Sequence, residues 1–226
     1  MTTPPAEVAS NFLGDFKGIL QSDGYKGYGL VCKDSNGAME SAGCWAHARR
    51  KFFEVAQSAK KPTASLEALN AIKQLYDIER KAQEEELPPD KITELRKKEA
   101  EPILKKLKEF LEKYAPKVPP KSGLGKAIGY ALRQWKPLTT YVENGHIAID
   151  NNAVERCIRP FAVGRKNWLF KGSVAGAKAG VIIYSLLETA KSYGHNPYDY
   201  FADILKKLPA GESIDNLLPY TWKDPK

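Results

Sequence analysis

The sequence predicts an α/β protein, with a few strands near its amino end and helices over most of the remainder. Residues 19–23 form a short apolar run that ends in an aspartate followed by a glycine, a pattern typical of a buried strand. Residues 65–114 instead carry Leu, Lys, Glu and Ala with apolar positions at helical spacing. The 226 residues, 42% of them hydrophobic and 27% charged, are enough to bury a core in one or two domains.

The composition favours a soluble, cytoplasmic protein. No run approaches the roughly 18 to 20 apolar residues of a membrane span, and the amino end lacks the basic and apolar regions of a secretion signal. Without a Cys-x-x-Cys pair, Cys32, Cys44 and Cys157 are expected to be reduced and mostly buried. The formal net charge of +8 favours polyanionic partners such as DNA, although many basic proteins bind no nucleic acid.

The segment up to residue 60 carries the strand signals. A helix is expected over residues 6–16, followed by a buried strand over 19–23 and a turn over 24–28. A second strand is expected within residues 39–46, and a basic helix opens at His47.

The middle of the chain predicts helices. Residues 65–114 form a helical hairpin with a break at Leu87-Pro88-Pro89, and its charged face is interpreted as solvated. After a proline-rich loop over residues 116–123, a further helix follows. Two apolar stripes are expected to pack against neighbours, namely Leu104, Leu107, Leu111 and Tyr114 in the hairpin and Leu124, Ile128, Leu132 and Trp135 in the later helix.

The carboxyl-terminal third predicts three further helices. The run Asp150-Asn151-Asn152 supplies N-cap residues, and Pro160 is expected to stop the helix after Arg159. Val154, Cys157 and Ile158 would then share an apolar side, opposite Asn152, Glu155 and Arg159. A core helix is expected over residues 181–193 with Gly194 as its cap, and a last helix runs from Asn196-Pro197 through Leu208.

Two carboxylates are candidates for chemistry, and each has a structural alternative. Asp23 ends the predicted buried strand, where functional groups often emerge, but an Asp-Gly pair is also ordinary turn chemistry. Glu155 could instead form a capping-box pair with Asn152 and a helical ion pair with Arg159. Taken alone, each residue favours the structural interpretation.

Four segments together resemble the IS66 family of insertion-sequence transposases. They are residues 20–28, residues 43–52, the run 149–160 with its continuation over 164–170, and the end from Tyr198 through Pro219. The resemblance covers almost the whole chain, and the charged hairpin is its least distinctive part.

The resemblance implies an RNase H-like fold in which two aspartates and one glutamate hold two Mg²⁺ ions at a DNA phosphate. Carried over onto this sequence, Asp23 is the second aspartate and Glu155 the glutamate, so both are expected to be catalytic metal ligands. Crowded carboxylates repel one another unless divalent cations neutralise them, and Mg²⁺ prefers such oxygen ligands. The implied partners are DNA at transposon ends and at the target, and further transposase subunits, with a place at the bacterial nucleoid.

The sequence departs from the family at the first aspartate. The resemblance places that residue on the first of three strands that precede the opening helix, and the chain begins at or within this helix. Neither Asp15 nor Asp34 fits the position. We therefore expect an incomplete RNase H-like fold whose Asp23 strand has an open edge. The expected function is that of a truncated transposase, inactive alone, and a gene remnant, a fragment and a piece completed in trans remain alternatives.

A basic cluster in the last third is a candidate DNA surface. Its members are Arg156, Arg159, Arg165 and Lys166, with Trp168 beside them. Guanidinium groups pair bidentately with phosphate and an aromatic ring can stack on an unpaired base. The alternative is a surface ion-pair network with Trp168 in the core, and the functional rival to a transposase enzyme is a module that binds DNA or transposase subunits without chemistry.

Cys44 and His47 have a zinc-like spacing but no second ligand pair, so a strand-end cysteine and a helix-opening histidine are expected instead. By these signals the chain divides into four parts. These are a partial RNase H-like core (1–60), a charged helical insertion (61–122), the remainder of the catalytic core with the Glu155 helix (123–195) and a small C-terminal element (196–226).

Overall fold

The computed structural model describes residues 5–58, 63–168 and 172–224, without the side chains of residues 5, 6, 63, 165, 166 and 168. The chain forms two compact units that divide between Asn152 and Ala153. The described residues are mostly helical and contain one small parallel sheet. The α/β prediction is confirmed to that extent, and the RNase H-like fold stays a prediction. None of the described helices is long and apolar enough to cross a membrane.

A two-stranded parallel sheet forms the beginning of the first unit. Its elements in chain order are α1 (Pro5–Leu13), β1 (Gly18–Gln21), α2 (Lys26–Asp34), β2 (Met39–Ala42) and α3 (Trp45–Ser58). Gly18 lies opposite Met39 and Gln21 opposite Ala42. Parallel strands need a long crossover, and α2 supplies it.

The sheet region differs from the sequence prediction in three places. The predicted buried strand over residues 19–23 is the shorter β1, and none of its four residues is buried. The predicted turn at residues 24–28 is only partly a turn, because α2 already begins at Lys26. Gly24, at a φ of 84°, makes the reversal, and a Cβ there would come within 3.2 Å of the Tyr130 hydroxyl. The second strand ends at Ala42 rather than near residue 46, because α3 begins at Trp45.

The main hydrophobic core lies among the helices that follow the sheet. These helices are α4 (Thr63–Glu84), α5 (Pro89–Leu95), a π-helical turn (Arg96–Ala100), α6 (Glu101–Tyr114), α7 (Gly123–Arg133) and α8 (Trp135–Thr139). The predicted hairpin is confirmed by the contacts between α4 and α6, and its chain breaks at residues 85–88 as expected. The largest fully buried side chains of this core are those of Trp45, Phe52, Ile72, Leu75, Leu111, Ile128, Leu138 and Tyr141.

Arg96 is the buried charge of this helical core. Its guanidinium donates two hydrogen bonds to the Glu79 carboxylate, at 2.8 and 2.6 Å. Its Nη1 donates to the carbonyl oxygens of Tyr141 and Asn144, at 2.7 and 3.0 Å. The guanidinium thus joins α4, the π-helical turn and the loop after α8.

Four helices lie in the described part of the second unit. They are α9 (Asn152–Trp168), whose first residue belongs to the first unit, α10 (Val174–Ser192), α11 (Pro197–Lys207) and α12 (Ile214–Leu217). A small core joins the last three through the buried side chains of Ala190, Tyr200, Ile204, Leu217 and Trp222. The Tyr200 hydroxyl and the Trp222 indole donate to the Leu217 carbonyl and the Asp203 carboxylate, at 2.8 and 2.7 Å.

The predicted short helix over residues 152–159 is wrong, because α9 continues through Pro160 to Trp168. Proline removes one helical hydrogen bond and crowds the preceding turn, and a helix can absorb this by kinking instead of ending. The predicted apolar side of this helix is not buried, since Val154, Cys157 and Ile158 are exposed.

The Arg96→Ala substitution should lower the free energy of unfolding by about 3–5 kcal/mol, because it leaves a half-buried carboxylate and two carbonyls without their donor. The measurement is urea denaturation followed by circular dichroism. Lys97→Ala is the matched control, since Lys97 and Glu143 form an exposed ion pair, and its urea midpoint should stay near that of the wild type. Equal midpoints for the two variants would contradict the structural role of Arg96.

Candidate active site

Asp23 lies two residues after the last residue of β1, at the carboxyl end of the sheet, whereas the predicted strand ran through it. Its side chain is exposed, and its Oδ1 accepts the Tyr25 N–H at 3.0 Å, which makes an Asx turn. Its main-chain carbonyl accepts the Tyr130 hydroxyl at 2.8 Å. The turn interpretation is therefore correct for Oδ1. The main chain of Asp23 is held by Tyr130 of α7, and its carboxylate is exposed to solvent.

Tyr130 stays protonated beside Asp23. Burial of its ring, and then the Cys44 thiol and the Asp23 carboxylate, raise the pKa of Tyr130 to about 12. The Lys51 ammonium lies 4.7 Å from the centre of the same ring, within cation–π range. The hydrogen bond to Asp23 is thus maintained throughout the neutral pH range.

The loop that leads into α9 is tied to the same end of the sheet. We call residues 148–152 the anchor segment. The Gln21 side-chain amide donates to the Ala148 carbonyl at 2.7 Å and to the Gly43 carbonyl at 3.2 Å. The Trp45 N–H donates to the Ile149 carbonyl at 3.1 Å. The residues that follow both strands and the residues that precede α9 therefore meet at one edge.

Asp150 links the first residue of α9 to helix α4. Its Oδ2 accepts the Tyr76 hydroxyl of α4 at 2.7 Å and the Asn152 side-chain amide at 2.8 Å. Its Oδ1 accepts the Asn152 N–H at 3.0 Å, which makes an Asx turn just before the helix. Burial and then the Asp150 carboxylate raise the pKa of Tyr76 well above its ordinary value. The oxygens of Asp150 are thus engaged in support of the helix start.

Glu155 lies in the first turn of α9 and belongs to the second unit. Its side chain is half-buried. The structure holds Asn152, three residues earlier, at the edge that carries Asp23, but it describes the two units separately. The meeting of Asp23 and Glu155 in one site stays a prediction.

The basic cluster is described only in part. Arg156 and Arg159 are exposed on α9, as a phosphate-binding surface requires. The side chains of Arg165, Lys166 and Trp168 lie outside the described residues. The choice between a DNA surface and an ion-pair network with Trp168 in the core therefore stays open.

Cys44 and His47 occupy the predicted positions, after β2 and in the first turn of α3. The Cys44 Sγ lies 3.2 Å from the His47 Nδ1, and burial raises the pKa of this thiol. Among the described residues, no three His, Cys, Asp or Glu side chains cluster as a metal site would require. The expectation of mostly buried thiols is wrong for Cys157, which is exposed, and Cys32 is only half-buried.

A groove of about 760 Å³ lies away from Asp23. It is lined by α1, α2, the loop after α1 and the start of β2, and it includes Phe16, Val31 and Met39. These residues lie toward the amino ends of the strands, whereas Asp23 follows the carboxyl end of β1. The groove is therefore separate from the candidate site.

Sequence reasoning missed Gln21, Tyr76 and Tyr130 as parts of the site. Tyr76 contacts a residue 74 positions away and Gln21 one 127 positions away, so local patterns carry no signal of either contact. Tyr76 on α4 and Tyr130 on α7 thus contact residues of the family motifs, although neither tyrosine belongs to a motif.

The Tyr76→Phe substitution should cost about 1–3 kcal/mol of unfolding free energy, because Asp150 loses a donor in a partly buried place. Tyr141→Phe is a matched control, since among the described residues the buried Tyr141 hydroxyl has no hydrogen-bond partner, and its removal should be neutral or stabilising. Urea denaturation of both variants checks the difference. A Tyr141→Phe variant less stable than Tyr76→Phe would refute this assignment of the two hydroxyls.

Comparison with known proteins supports the sequence resemblance. Residues 4–179 match the family model described as Transposase IS66 family, and residues 185–220 match the model described as IS66 C-terminal element. No solved structure matches the chain significantly.

Three relatives from Sinorhizobium fredii match nearly the whole chain. The uncharacterized proteins y4jD and y4qI are 33% and 35% identical to it, each over 96% of the chain, but the match covers only 44% and 41% of their own lengths. The uncharacterized protein y4hP is 30% identical over 98% of the chain and 45% of its own length. The chain thus spans less than half the length of these relatives. With both family models matched over most of its residues, the chain belongs to the IS66 family of transposases.

Proposed function

We propose that the chain is part of the catalytic domain of a DDE-type transposase, an RNase H-like enzyme that cuts and joins DNA at transposon ends. The observation that carries the proposal is the junction at the carboxyl end of the sheet, where Gln21 ties the strand of Asp23 to the anchor segment. In open α/β sheets, ligands bind outside the carboxyl ends of the strands. The helix that bears Glu155 begins at this same edge.

In this proposal Asp23 and Glu155 are the metal ligands. Family membership suggests a divalent metal ion, and Mg²⁺ takes carboxylate oxygens together with water. The exposed carboxylate of Asp23 fits such a role, with Oδ1 in the Asx turn. Asp150 fits it poorly, because Tyr76 and Asn152 already occupy its oxygens.

Two bound Mg²⁺ ions would activate the attacking water or DNA 3′-hydroxyl and stabilise the leaving oxygen. The protein's own contribution is to hold the carboxylates and the DNA in place. Tyr130 holds the carbonyl of Asp23 itself, and Gln21, two residues earlier, ties the end of β1 to the anchor segment. The proposal gives this chain two of the three carboxylates of the family site, so Mg²⁺ binding is weak and strand transfer is absent in the chain alone.

The DNA partner is proposed from charge. The net charge of +8 attracts the phosphate backbone, and Arg156 and Arg159 expose two guanidinium groups one turn apart on α9. Arg165, Lys166 and Trp168 extend the proposed surface along the same helix. Transposon ends, target DNA and other transposase subunits are its partners, which would place the protein at the nucleoid.

The same exposed arginines favour a second candidate, a module that binds DNA or transposase subunits without chemistry. The two functions differ in what Mg²⁺ does to DNA binding. A residual active site binds metal and phosphate together, whereas a purely basic surface responds to Mg²⁺ only as to added salt.

In the first experiment, fluorescence anisotropy measures binding of a labelled DNA duplex at constant ionic strength, with Mg²⁺ or with Na⁺ alone. Mg²⁺ should strengthen binding by about threefold or more, since it removes the repulsion between the carboxylates and phosphate. Asp23→Asn and Glu155→Gln should lose this gain and bind more tightly than the wild type without Mg²⁺.

Asp34→Asn is the control for this experiment, because it makes the same charge change at an exposed aspartate of α2. It should keep the full Mg²⁺ response. An equal Mg²⁺ response in all four proteins would support the binding module instead. Cleavage or joining of transposon-end DNA by the wild type, abolished by Glu155→Gln, would refute the proposed inactivity of the chain alone.

In the second experiment, the salt dependence of DNA binding tests the arginine surface. Each phosphate contact adds about one unit to the slope of log K against log salt concentration, so Arg156→Ala and Arg159→Ala should each lower that slope by about 1. Arg80→Ala, at an exposed position of α4 that is paired with Asp77, is the control and should leave the slope unchanged. Identical slopes for all variants would remove these arginines from the DNA surface.

A further inference from the structure

Two exposed tyrosines follow Asp23 in the chain. Tyr25 and Tyr28 form an edge-to-face pair, with 5.8 Å between their ring centres and 74° between the ring planes. Their exposed fractions are 46% and 38%. Within the part of the chain that the structure describes, neither ring belongs to a hydrophobic core. Core packing therefore does not account for the pair.

Tyr25 is bound to Asp23 through its main chain, because its N–H donates to the Asp23 Oδ1 at 3.0 Å. Tyr25 is also the N-cap residue of α2, a position that Ser, Thr, Asp and Asn favour because their side-chain oxygens accept a main-chain N–H. Among the described residues of α2, the Tyr25 side chain makes no capping hydrogen bond. Helix capping thus gives no reason for a tyrosine at this position.

Gly27 allows the Tyr25 ring to lie against α2. Gly27 is buried, and a Cβ added to it would lie 2.6 Å from Cε1 and 3.2 Å from Cδ1 of that ring. Carbon atoms prefer to be about 3.5–4.0 Å apart, so any side chain at this position would push the ring away. By contrast, apart from its chain neighbours, no described side chain lies within 4 Å of a Cβ added to Gly29. The position of the ring therefore depends on the glycine at 27 and not on that at 29.

Two lysines give this part of the surface positive charge. Lys26 lies between the tyrosines in the chain and is exposed. Lys51 lies over the ring of Tyr130, whose hydroxyl donates to the Asp23 carbonyl. Proteins that bind unpaired nucleotides combine exposed aromatic rings, which stack on bases, with basic side chains, which attract phosphate. An apolar protein partner would use the rings but would gain nothing from the lysines.

We propose that Tyr25 and Tyr28 bind an unpaired base of the DNA strand whose phosphate lies at Asp23. The base stacks on the face of one ring, and the other ring meets its edge, as the angle of 74° between the rings allows. A base drawn out of a duplex loses its stacking and pairing, and the tyrosines replace part of that loss. The inference rests on the proposed function, because it takes DNA to lie at the edge that carries Asp23.

The tyrosines are positioning residues in this proposal. The Tyr25 N–H and the Asp23 carboxylate share a hydrogen bond, so a base stacked on Tyr25 holds its strand in a set place relative to that carboxylate. Phosphoryl transfer needs such placement, since the attacking and leaving oxygens must lie roughly in line. The preferred substrate is therefore a DNA end with an unpaired nucleotide.

The first test compares two labelled duplexes with the same two-nucleotide 3′ extension, made of thymidines in one and of abasic sugars in the other. Their phosphates are equal in number, so a difference in affinity reports contacts to the bases. In fluorescence anisotropy titrations, the thymidine duplex should bind about fivefold or more tightly. Tyr25→Leu and Tyr28→Leu keep an apolar side chain without an aromatic face, so each should remove most of this preference.

Two control variants accompany the leucine substitutions. Tyr25→Phe keeps the ring and should keep the preference. Tyr198→Leu makes the same change at an exposed tyrosine of α11 and should also keep it. Urea denaturation of all four variants checks that they fold as the wild type does.

The second test moves the Tyr25 ring without removing it. Gly27→Ala should lower the preference for the thymidine duplex, because the added Cβ displaces the ring. Gly29→Ala is the matched control in the same helix and should leave the preference unchanged. An unchanged preference in both alanine variants would contradict the proposed position of the base.

Photocrosslinking locates the base directly. With 5-iodouracil in place of thymine in the extension, irradiation should attach the DNA to Tyr25 or Tyr28, as mass spectrometry of the peptides would show. Crosslinks at other residues alone would overturn the inference. So would equal binding of the thymidine and abasic duplexes by the wild type, or a full preference in both leucine variants.

Each affinity measurement is made with and without Mg²⁺, which separates this inference from the proposed metal site. If Mg²⁺ strengthens binding but the thymidine and abasic duplexes bind equally, the metal site stands and the base site fails. If the preference depends on the tyrosines but Mg²⁺ has no effect, the base site stands and the metal site fails.

Discussion

The site depends on the two hydrogen bonds that the Gln21 side chain donates to the carbonyls of Gly43 and Ala148. One amide nitrogen joins the end of β1, the end of β2 and the anchor segment, three stretches that are far apart in the chain. Asp23 follows Gln21 by two residues, and Asn152, the first residue of α9, follows Ala148 by four. This nitrogen therefore holds the backbone close to both residues. An apolar side chain of similar size could fill the same space but would hold neither carbonyl.

The charged helical hairpin contacts the anchor segment and the residues just before it. Most of its surface agrees with the sequence interpretation of a solvated face over one apolar stripe, since Leu104, Leu107 and Leu111 are buried. Two of its polar residues are exceptions. Arg96 reaches the loop after α8, and Tyr76 reaches Asp150 at the start of α9. The hairpin thus holds residues between 141 and 150, which precede α9. The least distinctive region of the family resemblance therefore has a structural role.

Helices and strands could be predicted from the sequence where the local pattern of apolar residues determines them. The apolar run before Asp23 predicts a strand there, although β1 is not buried as expected. The spacing of Leu104, Leu107 and Leu111 predicts α6, because helical periodicity reflects which face is buried. Pro160 misled, because a proline disfavours a helix without forbidding it, and the residues on both sides of it remain helical. The links between Gln21, Tyr76 and the anchor segment were not predictable, since they join residues whose proximity arises only from packing of the whole unit. The resemblance to the family predicts Asp23 and Glu155 as site residues, but only the packing of the chain shows which side chains lie around Asp23.

The large core and the candidate site lie on different parts of the first unit. Trp45, Phe52, Ile72 and Leu75 stabilise the helices of the main core, whereas Met39 of β2 packs with Ala9 of α1 and Val31 of α2 in a much smaller cluster. In the described part of the chain, β1 pairs with β2 alone, and Gln21 ties its end to the anchor segment. The aspartate of a metal site must be held rigidly, because its oxygens have to match the narrow geometry that Mg²⁺ demands. In this chain the Tyr130 hydroxyl, which holds the Asp23 carbonyl, and the Gln21 side-chain amide restrain the backbone around Asp23.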